Sequence, residues 1–270
     1  MNKNKYKKSG SSSGKASGGT AGKKKHGGES GSSIIPEEEL ISWYRADTEV
    51  FEAAAKDKAP IVLYFVEEGL DPIDASKQLH DTELAKLSDD NFLFVMVEYN
   101  PDRTPSFDNG SPVPTSKLLS PNPSRDYNIT KYPSYLVCDW FGNEYDRYTK
   151  TPGAKDLKKQ LEGVSDAVEK ANAKLQGTLD EAKKALEAKD TRNFMKAAIK
   201  NFKTGTVGLA SQEETIALYR KVIDQAREEV NSILENRPED AKDRLKQMAK
   251  DYGETELASE IKDAQDIIKG

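Results

Sequence analysis

The sequence predicts an α/β domain, a central sheet with flanking helices, followed by an all-α C-terminal domain and preceded by a disordered tail. Two short apolar runs, Ile61–Val66 and Phe92–Glu98, read as strands, and the helix-like stretch Ala75–Leu87 lies between them. From Ala154 onward the apolar spacing changes to alternating steps of three and four, which is helical. Gly, Ser and Lys supply 24 of residues 1–33. The chain therefore divides into a tail (1–33), an α/β domain (34–162) and a helical domain (163–270).

The tail holds 16 Gly and Ser residues, and its eight lysines against Glu29 give a net charge of +7. With Tyr6 as its one aromatic, it cannot bury enough apolar surface to offset the entropy of ordering. Lys23, Lys24 and Lys25, with the cluster Lys3 to Lys8, suit an electrostatic arm for an anionic polymer or an acidic protein surface. A solubilising spacer is the plainer reading. Residues 34–153 carry a net −11, which argues against the folded core itself lying on nucleic acid.

Within 34–162, residues 34–48 read as a leading helix, with Pro36 in the first turn, three acids behind it, and Leu40, Trp43 and Tyr44 on its apolar side. Val50–Lys56 is a second helical stretch, leading into the Ile61–Val66 strand. Leu79, Leu84 and Leu87 would turn the 75–87 helix toward the sheet. Residues 103–122 contain four prolines, Gly110 and four serines, which exclude a regular element. Loops of that length are functional or disordered in compact domains, so this insertion is either a partner-contacting loop or a surface excursion.

Residues 69–74 read Gly-Leu-Asp-Pro-Ile-Asp. Further on come Tyr127-Asn-Ile-Thr-Lys-Tyr-Pro-Ser-Tyr-Leu-Val137 and the turn Asp139-Trp-Phe-Gly-Asn-Glu144. In order and spacing this resembles the thioredoxin-like family, whose Trp-Cys-Gly-Pro-Cys-Lys stands where 69–74 stand here. The resemblance implies a thioredoxin-like sheet and a cis bond at Tyr132–Pro133. It also implies a peptide-binding edge formed by Leu70, Asp71, Pro72, Ile73, Tyr132 and Pro133. Both family cysteines are replaced, by Leu70 and Ile73, and thiol–disulfide exchange needs two thiols. Under the same alignment the family's buried acid falls near Tyr64, a poor base near neutrality. An apolar patch in place of a reactive one suits holding a partner segment. Trp140 and Phe141 are a second aromatic partner-binding candidate, or else they cover the first C-terminal helix.

The helical domain opens on the seam Leu157, Leu161, Val164, Val168, Ala171 and Leu175, spaced for core packing or a coiled coil. A second segment holds Phe194 to Phe202, and a third Ile216 to Leu234. Pro238–Lys269, with Leu245, Met248, Tyr252, Leu257 and Ile261, resembles a degenerate tetratricopeptide-type helix hairpin.

Little else carries chemistry. Cys138 is the single cysteine, in an apolar run without a cationic neighbour, which reads as a core residue. His26 and His80 have no partners at metal-ligand spacing, so no metal and no cofactor is expected. The sequon Asn128-Ile-Thr130 reads as a chance match, since no secretion signal supports it. No apolar run of signal-peptide length follows Met1 and no transmembrane stretch appears, so a cytoplasmic location is expected. The expected function is a non-catalytic thioredoxin-like protein-binding module, a scaffold or adaptor joined to a helical interaction domain. The alternatives are a thiol-independent chaperone or isomerase-like protein, and a structural protein tethered through its basic tail.

Overall fold

The computed structural model of the chain describes residues 41–69, 82–89, 91–105 and 110–269. Five strands form one mixed sheet: β1 (Trp43–Arg45), β2 (Ile61–Phe65), β3 (Leu93–Val97), β4 (Ser134–Cys138) and β5 (Glu144–Tyr148). Their order is β1-β3-β2-β4-β5. β1, β3 and β2 run parallel, while β4 lies antiparallel to β2 and β5 antiparallel to β4. Every residue of β2 and of β4 is buried, so both faces of the sheet centre are covered. This is the expected class: a thioredoxin-like sheet with flanking helices, then an all-α region.

β1 corrects an expectation. Residues 43–45 were expected to continue a leading helix but form an edge strand, because Trp43 and Tyr44 are both buried on successive positions. Opposite faces of a pleated strand give both rings cover; adjacent positions on one amphipathic helix face would not. Trp43 packs 5.2 Å from Tyr64 and 5.8 Å from Phe94. Residues 34–40 lie outside the described residues.

Helix α1 (Thr48–Asp57) begins where the Asp47 side chain accepts a hydrogen bond from the Val50 amide, and ends at Lys58 in a left-handed conformation. Helix α2 (Thr82–Asp89) is the described part of the 75–87 stretch, with Leu84 and Leu87 buried as expected. Leu79 and His80 lie outside the described residues. Between β3 and β4, the described parts of the 103–122 insertion hold no helix or strand, and a four-residue helix, α3 (Pro123–Asp126), follows.

Helix α4 (Ala154–Glu187) is 34 residues, roughly 50 Å at 1.5 Å per residue. Its seam from Leu157 through Leu175 is buried in the cluster around the sheet. From Ala182 the same helix enters a second cluster with α5 (Thr191–Phe202), α6 (Ala210–Asn236), α7 (Ala241–Asp251) and α8 (Leu257–Lys269). One unbroken helix thus passes position 162–163 and serves both cores. The seam is core packing within this chain. α7 and α8 pack as a pair, with Gln265 Nε2 donating to the Leu245 carbonyl at 3.1 Å. Among the described residues no helix is long and apolar enough to cross a membrane.

Candidate functional site

Two ends of the sheet matter. At one, β2 ends as β4 begins, Phe65 pairing with Ser134. The Tyr132–Pro133 bond just before β4 is cis, as expected. Tyr132 sits edge-on to Tyr99 at 5.0 Å, its hydroxyl 3.5 Å from the Asn100 carbonyl, which accepts. Leu70, Asp71, Pro72 and Ile73, the rest of the expected edge, lie outside the described residues, as do Lys23, Lys24 and Lys25.

Tyr64 and Tyr135 are cross-strand neighbours whose rings stack at 4.5 Å. Burial pushes the Tyr64 hydroxyl far above its ordinary range, so it holds its proton at neutral pH. Cys138, at the other end of β4, is fully buried, and burial, with Glu144 and Asp139 adding to it, pushes its thiol well up. A thiol so placed is a weak nucleophile. Among the described residues no three His, Cys, Asp or Glu side chains cluster as a metal site.

The insertion starts beside the cis-proline end and leaves it. Its roots are tied there: Asn122 Nδ2 donates to the Asp102 carbonyl at 2.6 Å, and Arg103 donates to the Ser124 and Ile129 carbonyls. The middle then crosses to the far end of the sheet. Leu118 packs there against Gly142, at the β4–β5 turn, and Val113 packs on the helical core. Gly142 has φ +87°, and a Cβ there would fall 2.7 Å from the Tyr127 hydroxyl, which donates to the Gly142 carbonyl.

At this far end a polar latch joins the two halves. The buried Asp139 carboxylate accepts from the Phe141 amide (2.8 Å), the Asn143 amide (3.0 Å), Asn143 Nδ2 (2.8 Å) and the Tyr145 hydroxyl (3.2 Å). All four partners donate, which suits the ionised form even though burial raises the carboxyl above its ordinary range. Asn143 in turn pairs with the backbone of Val207, in the loop between α5 and α6. Its Nδ2 donates to the Val207 carbonyl and its Oδ1 accepts from the Val207 amide, each at 2.9 Å. Beside them the Phe141 ring lies on Gly208, which has φ +76° and leaves no room for a Cβ.

Val207 of the latch also lines an open groove of about 380 Å³, within the range of ligand sites. α1 contributes Phe51 and Ala55, the insertion Val113, Pro114, Leu118 and Leu119, the β4–β5 turn Trp140 and Phe141, and α6 Ile216. Leu119 is 55% exposed. Trp140 is buried, 7% exposed, and only part of it faces the groove. The candidate pair Trp140 and Phe141 thus covers the junction with the helical half while lining the groove. Sequence reasoning missed the groove as a unit. The one local signal was the apolar pair Leu118-Leu119 inside a stretch otherwise rich in Pro and Ser.

No family model matches the chain. No curated protein matches it either. A solved structure described as a DsbH oxidoreductase is similar, at 19% identity and a TM-score of 0.34, over 52% of this chain and 95% of the other.

Proposed function

We propose that the chain is a non-catalytic, redox-inactive thioredoxin-like protein-binding module, an adaptor whose α/β half and helical half together hold a partner segment. The observation that carries this reading is the apolar groove between the halves, with the half-exposed Leu119 on its wall. A concave opening lined mostly by apolar side chains, with charges at its rim, has the form of a binding site. The Leu and Ile at positions 70 and 73 and the buried thiol of Cys138 support the redox-inactive part.

The test pairs two measurements. Insulin reduction by the full chain is expected not to exceed that of a matched chain with Cys138→Ala; turnover above that control overturns the redox-inactive reading. Partner capture by the full chain is expected to fail for Leu119→Asp and to persist for the pair Leu70→Asp, Ile73→Asp. The reverse pattern moves the binding site to the Tyr132–Pro133 edge.

A further inference from the structure

The rim of the groove carries charges in a fixed order. On α6, Glu213, Ile216 and Arg220 all line it, spaced three and then four residues apart. Positions seven apart on a helix share one face, so the wall reads acid, apolar, base over about 10 Å. Arg220 is exposed, with no hydrogen bond or ion pair to another described residue. Glu213 uses one carboxylate oxygen for the Gly208 amide, at 3.2 Å, and keeps the other. The α1 wall adds Glu52, also exposed and unpaired among the described residues.

Resting on the adaptor reading above, we propose that the occupant is an extended protein segment with a basic and an acidic residue four positions apart and an apolar residue midway between them. Side chains of an extended chain alternate faces at about 3.3 Å per residue, so its first, third and fifth positions face α6 together over about 13 Å. Long charged side chains take up the difference from about 10 Å along the helix. Its basic side chain meets Glu213 and its acidic side chain meets Arg220, while the apolar residue between them packs on the apolar lining beside Ile216. The two charges fix register and direction, and the apolar floor supplies affinity. An acidic helix or a nucleic-acid strand would leave Glu52 and Glu213 facing like charge.

The experiment is selection of a phage-displayed random dodecapeptide library on the full chain and on the charge-exchanged variant E213K/R220E. Each winning peptide is then titrated against both proteins and against L119D. The wild type is expected to enrich one charge order around an apolar residue, and the exchanged variant the opposite order. Each winner should bind its own protein about fivefold to tenfold more tightly than the other, the scale of reversing two partly exposed ion pairs. R220E alone, which leaves the Gly208 contact intact, should lose about threefold to fivefold. Apolar winners with no charge order, or the same order on both proteins, overturn the proposal and leave the adaptor reading standing. No enrichment over bare matrix, or winners that bind L119D equally well, overturn both.

Discussion

Replacing Asn143 by alanine tests the latch between the halves. The truncation deletes three hydrogen bonds: Nδ2 to Asp139, and the two to the Val207 backbone. The first is made to a charged, buried acceptor, and such bonds contribute about 1.5–3 kcal/mol. The other two are neutral, and Val207 is only half-buried, so water can take their places; about 0.5 kcal/mol each is the appropriate end of the range. The expected loss is about 2.5–4 kcal/mol. Asp139 keeps its three remaining donors, so the turn itself should persist. Urea denaturation gives the loss, and amide exchange locates it, with the Val207 amide losing protection because its acceptor is gone. A loss under about 1 kcal/mol with unchanged exchange at Val207 would refute the latch.

Three further outcomes are expected. Gly208→Ala should cost about 2–4 kcal/mol by thermal or urea unfolding, from left-handed strain plus overlap with the Phe141 ring. Adding Phe141→Ala should recover the overlap part alone, and full additivity of the two changes would show that they do not touch. Cys138 should stay unreactive toward Ellman's reagent at pH 8 in the native chain and react in full once unfolded; prompt native reaction would contradict its burial. Asp126, held below its ordinary range mainly by the Arg125 hydrogen bond, adds stability above the unfolded value of about 3.9 and loses it as pH falls through the lower folded value. Asp126→Asn should therefore destabilise at pH 6, by an amount that shrinks as the pH falls below about 3.9. Asp139 has the opposite sign, since its raised folded value costs stability as pH rises through it, so its carboxyl carbon should titrate at higher pH than that of Asp126 in carbon-13 NMR.

What the sequence by itself determined is what local periodicity and steric chemistry can carry. Ile61–Phe65 and Leu93–Val97 are strands because short, β-branched and aromatic runs bury on both faces. Leu157 through Leu179 is one helix face because the steps of three and four leave no other geometry. The cis bond at Tyr132–Pro133 followed from the resemblance carried by neighbouring residues. Residues 43–45 went the other way, because three residues cannot display a period and the pairing with β3 decided them.

Only the tertiary structure decided where the insertion goes and what it meets. Its roots are tied at the cis-proline end, yet Val113 to Leu119 reach the opposite end of the sheet, a path that composition does not encode. The latch is equally illegible: Asn143 and Val207 lie 64 residues apart, and a side-chain amide pairing with a distant backbone leaves no periodic trace. The groove draws its walls from α1, the insertion, the β4–β5 turn and α6, four segments whose meeting depends on the path of the long helix α4. Local sequence sets which faces are apolar; which of those faces remain open is set by how the two cores pack, and that is a property of the whole chain.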